Sequence, residues 1–110
     1  MKDLHVYVNQ RVATYRARDG FIICDNSDYR VKFIFDPEWS GAATKYACFV
    51  WAGGHSTVEI TGNTALVPPI STPGLVKVGV CTDPPEVPTE GNFWTTTAAI
   101  IPCKKSVLST

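Results

Sequence analysis

Turn-forming residues interrupt this chain so often that no segment is long enough for an extended amphipathic helix. Glycine, proline, asparagine and aspartate recur along its whole length, with 8 Gly and 8 Pro among 110 residues. The segments between them alternate apolar and polar residues, which is typical of strands with one buried face. Valine and threonine, which suit strands, number 12 each against 4 leucines. The sequence therefore predicts an all-β domain.

Two segments carry the strongest strand signal, residues 29–35 and residues 75–81. Seven or eight such short strands, separated by turn residues, favour a single antiparallel β-sandwich, with a small β-barrel as the alternative. We expect residues 1–102 to form this one domain and residues 103–110 to form a polar tail. The inward-facing residues of the two clearest strands are predicted to be Val31, Phe33, Phe35, Val76, Val78 and Val80.

Several turns and ends follow from local sequence. Asp19-Gly20 and Gly62-Asn63 are residue pairs that two-residue hairpin turns prefer. Asp36-Pro37 predicts one helical turn with Asp36 as its cap. A strand is expected from Thr44 to Trp51, and the closing strand is expected over residues 93–101.

Charge and hydropathy exclude several classes of protein. Ten basic and ten acidic residues cancel, whereas a nucleic-acid binder or a polybasic membrane-surface module needs a basic surplus. The first residues, MKDLHVYVN, lack the apolar core of a signal peptide, and no apolar run is long enough to span a bilayer. We therefore expect synthesis in the cytoplasm and no membrane partner.

The four cysteines are widely separated in sequence. Cys24, Cys48, Cys81 and Cys103 form no CxxC or CxxH pair, and structural zinc sites usually take their ligands in close pairs. In a cytoplasmic protein they are expected to be thiols that fill small strand positions, without a metal.

No catalytic motif is present. His55-Ser56 lacks the GxSxG context of a nucleophile elbow, and His5 is expected to point outward from the first strand. The acids of the proline-rich loop over residues 83–92 do not have the spacing of a calcium loop. The sequence therefore predicts no enzyme activity and no cofactor.

Exposed aromatic residues on a small β-domain mark a contact with another protein or, as an alternative, with a glycan. Trp39 and Trp51 are expected in or over the core, whereas alternation leaves the directions of Tyr46 and Trp94 open. The candidate interface residues are Tyr46, Trp94, Asp83, Glu86 and Glu90.

Three runs carry a resemblance to a known family: VKFIFDPEWSGAATKYACFVWAGG, LVPPISTPGLVKVGV and VPTEGNFWTTTAAIIP. They resemble the immunoglobulin-like N-terminal domain of phage baseplate upper proteins and related tail and fibre proteins. The likeness extends from about Val31 to Pro102. Family members often continue into a helical or fibre region that trimerises, whereas this sequence ends soon after its last predicted strand. The matching residues are Phe33, Phe35, Trp39, Thr44, Lys45, Ala47, Phe49, Val67, Pro68, Pro73, Gly74, Val78, Gly79, Val80, Pro88 and Thr89.

The resemblance implies a non-catalytic structural domain of a phage or prophage virion, associated with the tail or baseplate, that acts by protein–protein docking. Its partners would be other tail, baseplate or head proteins, with self-association left open and no role for nucleic acid. The alternatives are a small glycan-binding module for host adhesion and a head decoration or fibre protein. Outward apolar or aromatic residues such as Tyr46, Val50 and Leu75 are compatible with an interface.

Overall fold

A computed structural model of the chain describes residues 1–41, 44–82 and 95–107, with the side chains of residues 40 and 41 left undescribed. Nine strands and two short 3₁₀ turns, Ala17–Asp19 and Pro37–Gly41, lie in this part of the chain. The all-β prediction is confirmed. The strands are β1 (Lys2–Asn9), β2 (Val12–Tyr15), β3 (Ile22–Ile23), β4 (Tyr29–Phe35), β5 (Tyr46–Trp51), β6 (Gly54–Glu59), β7 (Thr64–Leu66), β8 (Gly74–Cys81) and β9 (Ala99–Lys104).

Two sheets pack face to face as a sandwich. One has four strands in the order β2-β1-β4-β7, and the other has five in the order β3-β9-β8-β5-β6. Most neighbours are antiparallel, but β1 pairs with β4 and β3 with β9 in parallel. The β-sandwich is confirmed, but its sheets are mixed and not antiparallel throughout, because the chain leaves the first sheet after β2 and returns to it at β4.

Asp19-Gly20 is the point at which that crossover begins, and not the predicted hairpin turn. Asp19 ends a 3₁₀ turn, and Gly20 follows at φ +91°. The Asp19 carboxylate accepts hydrogen bonds from Arg16 and from the backbone N–H of His5, which holds the turn against β1. The next strand, β3, then joins the opposite sheet.

The turn at Gly62-Asn63 is confirmed. Both residues have positive φ, +60° and +62°, as a type I′ turn requires. Thr61 and Thr64 exchange two backbone hydrogen bonds across it, at 3.0 and 3.1 Å.

The core lies between the inner faces of the two sheets. The predicted inward residues of β8 are all buried, as are Val31 and Phe33 of β4, while Phe35 is half-buried at the end of that strand. The fully buried Trp39 packs its ring 5.6 Å from that of Phe35 and donates its indole N–H to the Gln10 carbonyl at 2.6 Å. Trp51 is half-buried and packs against the same core.

Asp36 precedes the 3₁₀ turn as predicted, but its side chain has another role. The turn is closed by Trp39 N–H, which donates to the backbone carbonyl of Asp36. The Asp36 carboxylate accepts the backbone N–H of Gln10 at 2.8 Å instead. It therefore ties the β1–β2 turn, where Gln10 has φ +58°, to the end of β4.

Two strand limits differ from the predictions. β5 begins at Tyr46, two residues after Thr44. β9 runs from Ala99 to Lys104, later than residues 93–101, and Cys103 is buried in it beyond the expected domain end at 102. Just before β9, Thr97 N–H donates to the backbone carbonyl of Arg11, in the turn between β1 and β2, at 2.8 Å.

Candidate protein interface

Only one of the predicted interface residues lies in the described part of the chain. Tyr46 is the first residue of β5 and is half-buried. It alternates with the buried Ala47, so it belongs to the outer face of the five-stranded sheet. Trp94, Asp83, Glu86 and Glu90 lie outside the described residues.

An apolar patch occupies the same outer face, and we call Val50, Leu75 and Ile100 the outer-face patch. Val50 and Ile100 flank Lys77 in register across β5, β8 and β9, and Leu75 precedes Lys77 by two residues on the same face of β8. Their side chains are 47%, 63% and 41% exposed, in the order Val50, Leu75, Ile100. Three adjacent strands thus present aliphatic side chains to solvent, which is a common feature of protein interfaces.

Sequence reasoning identified Val50 and Leu75 as outward residues but not Ile100. Ile100 alternates with the buried Ala99 and Ile101, so the period-two pattern of the last strand contained the signal. It was hidden because the run Ala98 to Ile101 is continuously apolar, and a run of that kind does not show which residues face out.

A shallow groove of about 330 Å³ borders the patch and is lined by Cys48, Val50, Lys77 and residues 95–96 among others. Its floor is Gly79, where an added Cβ would lie 3.1 Å from Thr96 Oγ1. Thr96 is held there because its hydroxyl oxygen accepts Val80 N–H at 3.0 Å and its own N–H donates to the Val80 carbonyl at 3.1 Å. Gly79 therefore lets this segment pack closely over β8.

The outer face of the four-stranded sheet carries both charged and apolar residues, and the exposed Tyr7 and Ile34 lie opposite each other in register on β1 and β4. Asp3 and Arg30 lie opposite each other in register on β1 and β4 and form an ion pair at 2.8 Å. Lys32 is exposed in the centre of the same face, in register with His5. Both outer faces of the sandwich thus present exposed apolar residues beside a lysine.

A charged cluster joins β1, β2 and the first 3₁₀ turn. Arg16 donates two hydrogen bonds to Asp19 Oδ1, at 3.0 and 2.6 Å. His5 Nδ1 lies 3.0 Å from Asp19 Oδ2 and 2.9 Å from Arg16 Nη2. These hydrogen bonds hold the pKa of Asp19 well below its usual range, although burial opposes them. Burial and then the Asp19 carboxylate raise the pKa of neighbouring Tyr15 to about 12.

This cluster resembles a His–Asp pair of an active site only in composition. His5 Nδ1, the ring nitrogen nearest to Asp19, also lies within hydrogen-bond distance of the Arg16 guanidinium. That guanidinium binds the Asp19 carboxylate as well and keeps it ionised. In the described part of the chain, no hydroxyl or thiol hydrogen-bonds to His5. The ion pair of Arg16 with Asp19, together with His5, holds the 3₁₀ turn against β1.

The four cysteines come together in two pairs, which their sequence spacing did not predict. Cys24 and Cys103 lie in the core with their Sγ atoms 3.3 Å apart. Cys48 and Cys81 are on β5 and β8 with their Sγ atoms 2.9 Å apart. Burial, with the neighbouring Cys24 as a smaller cause, raises the pKa of Cys103 to about 12.

A cleft of about 540 Å³ lies beside the second 3₁₀ turn, lined by Lys32, Phe35, Trp39 and Lys45 among others. The Lys45 ammonium is 5.2 Å from the centre of the Phe35 ring, in a cation–π contact that covers one face of this ring. Trp39 is fully buried. The aromatic rings of the cleft are therefore engaged in packing and are not platforms on which a sugar ring would stack.

Across residues 1–41, 44–82 and 95–107, no three His, Cys, Asp or Glu side chains are arranged to hold a metal ion. Within those same ranges, no helix has the length and apolar character needed to cross a bilayer. The chain matches no protein-family model, and no curated protein matches it.

Proposed function

We propose that this protein is a non-catalytic adaptor domain of a phage virion, associated with the tail or baseplate, that docks onto other virion proteins through the outer face of its five-stranded sheet. The sequence resemblance supports the class of protein, and the β-sandwich is the fold which that resemblance implies. The single observation that carries the docking surface is the outer-face patch of Val50, Leu75 and Ile100.

The residues that carry the resemblance are mainly those that build the fold. Four of them are buried, namely Phe33, Trp39, Ala47 and Phe49. These residues stabilise the fold, so other residues must determine which partner binds. The outer-face patch lies directly behind this core, because Val50 follows Phe49 and Ile100 precedes Ile101 along their strands. A rigid sheet that presents aliphatic side chains loses little conformational entropy on docking.

Polar groups surround the patch. Exposed Lys104 and His55 lie on the same face, on β9 and β6, and Lys77 lies among the apolar side chains. Protein interfaces usually have a polar rim around apolar side chains, and here Lys77 also places one charge between Val50 and Ile100. Lys77 would favour a partner that places a carboxylate opposite the patch.

The experiment compares two leucines on opposite faces of the sandwich. Leu75 is 63% exposed in the outer-face patch, and Leu66, on β7, is 55% exposed at the edge of the four-stranded sheet. Binding of the full chain to purified tail and baseplate proteins is measured by surface plasmon resonance for wild type, Leu75→Asp and Leu66→Asp. We expect Leu75→Asp to weaken binding by roughly thirtyfold or more, as for an interface hot spot, while Leu66→Asp binds like wild type.

Circular dichroism and thermal unfolding establish that both variants are folded. Equal losses for the two variants would rule out the outer-face patch as the docking surface. Binding of wild type to a defined glycan at micromolar concentration, with no binding to a virion protein, would replace the adaptor by a glycan-binding module.

A further inference from the structure

Cys48 and Cys81 lie on neighbouring strands and on the same face of the five-stranded sheet. Cys48 is opposite Gly79 in the β5–β8 register, and Cys81 is opposite Tyr46. The two cysteines are therefore diagonal neighbours, 33 residues apart in sequence. Gly79 has no side chain to separate them, and the Sγ atoms approach to 2.9 Å.

This separation is close to that of a disulfide bond. A disulfide needs the two sulfur atoms about 2 Å apart, so the sulfurs have to move together by roughly 1 Å. Both residues lie in paired strands whose hydrogen-bonded register already sets the distance between their backbones. Diagonal neighbours in an antiparallel pair have Cα atoms about 7–8 Å apart, at the upper limit for a disulfide, so closing the gap takes side-chain rotation together with a small backbone shift.

The two thiols differ in access to solvent. Cys48 is half-buried and lines the groove of about 330 Å³ beside the outer-face patch, whereas Cys81 is buried. Lys77 lines the same groove. A small reagent therefore reaches Cys48 first, and Cys81 lies diagonally beside it on the same face of the sheet.

We propose that Cys48 and Cys81 are a redox-modification site, at which a low-molecular-weight disulfide such as oxidised glutathione converts the two thiols into an intramolecular disulfide. The Cys48 thiolate attacks one glutathione sulfur, the glutathione S–S bond breaks, and one glutathione leaves as a thiol. The Cys81 thiolate then attacks Cys48 Sγ and releases the second glutathione. The protein pair loses two electrons and two protons, and one oxidised glutathione becomes two reduced molecules.

The second cysteine pair is an internal comparison. Cys24 and Cys103 are both buried between the sheets, 3.3 Å apart. Burial raises the pKa of Cys103 to about 12, so almost none of it is the reactive thiolate at neutral pH. This pair reacts only when the core opens, and the Cys48–Cys81 disulfide forms first. The inference does not depend on the proposed adaptor role.

The test uses the full-length reduced protein, incubated at neutral pH with oxidised glutathione. Samples taken over time are quenched by alkylation, and their mass is measured by intact-protein mass spectrometry. Digestion without reduction then maps the linked peptides. The expected first product has lost two hydrogens and contains the Cys48–Cys81 linkage, with Cys24 and Cys103 still alkylated after unfolding. A first product linked through Cys24 and Cys103, or no linkage before the protein unfolds, overturns the proposal.

Variants separate the roles of the two thiols. Cys81→Ser is expected to accumulate one glutathione on Cys48, since the mixed disulfide has no second thiol to release it. Cys48→Ser is expected to form no Cys48–Cys81 disulfide and to take up glutathione more slowly than wild type. Cys24→Ala is expected to oxidise like wild type. Equal glutathione uptake by Cys48→Ser and Cys81→Ser contradicts the assignment of Cys48 as the attacking thiol. Where a variant does not fold, the wild-type mapping decides.

Discussion

Asp19 connects three segments of the chain through a single carboxylate. It accepts hydrogen bonds from Arg16 and from the backbone of His5, and its side chain is only 8% exposed. An acid with this environment contributes to stability as an anion, because its protonated form cannot keep the ion pair. The sequence predicts a hairpin turn at Asp19-Gly20. In the structure, the hydrogen bond from His5 holds Asp19 in a 3₁₀ turn against β1 instead.

Asp19→Asn is therefore expected to lower the free energy of unfolding at pH 7 by about 1–3 kcal/mol, as for the loss of charge-assisted hydrogen bonds. The pKa of Asp19 is lower in the folded protein than in the unfolded chain. Its contribution is thus complete above about pH 4, the ordinary aspartate pKa, and is lost as the pH falls below it. Urea unfolding of wild type and variant between pH 7 and pH 3 measures this, and the difference between them should shrink toward acid pH.

Asp3→Asn is the matched control. Asp3 also pairs with an arginine, Arg30, but the side chains are 30% and 39% exposed, and an exposed pair contributes about 0–1 kcal/mol. A larger loss for Asp3→Asn than for Asp19→Asn would show that the cluster around Asp19 is not the stabilising one.

At the scale of elements, alternation located the strands better than it located their partners. β4 and β8 follow directly from alternating apolar residues, and the Gly62-Asn63 turn follows from its need for positive φ. The parallel pairings of β1 with β4 and of β3 with β9 do not follow from the local sequence. Pairing joins strands distant in sequence and depends on the packing of the whole molecule, which a local pattern does not contain.

Truncation of an inward strand residue should cost much more than truncation of an outward one. Val78 is fully buried on β8, and Val50 is 47% exposed on the neighbouring β5. Val78→Ala is expected to lower the free energy of unfolding by roughly 2 kcal/mol, through lost burial and the cavity left behind. Val50→Ala should cost less than about 0.5 kcal/mol, as at most surface sites. Denaturant unfolding measures both, and equal costs would contradict the assigned faces.

At the scale of the whole molecule, the sandwich brings together residues that sequence spacing keeps apart. The cysteines show this most directly, since the partners are 33 and 79 residues apart and no motif links them. The candidate interface was partly predictable. Val50 and Leu75 follow from alternation, whereas Ile100 lies in the continuously apolar run Ala98–Ile101, in which alternation does not show the outward residues.

We propose that the protein is a virion component that uses the outer face of its five-stranded sheet. Two exposed lysines report on the two faces: Lys77 lies among the residues of the outer-face patch, and Lys32 lies at the centre of the four-stranded sheet. Each lies in a paired strand, which fixes the sheet face that carries it.

The most direct measurement is lysine cross-linking of purified phage particles, followed by mass spectrometry of the linked peptides. We expect the chain to be present in the particles at a constant ratio to tail proteins. We also expect Lys77 to become linked to, or to be shielded by, another virion protein while Lys32 stays open to single-ended labelling. Absence of the chain from the particles, or contacts made through Lys32 while Lys77 stays open, would contradict the proposed role.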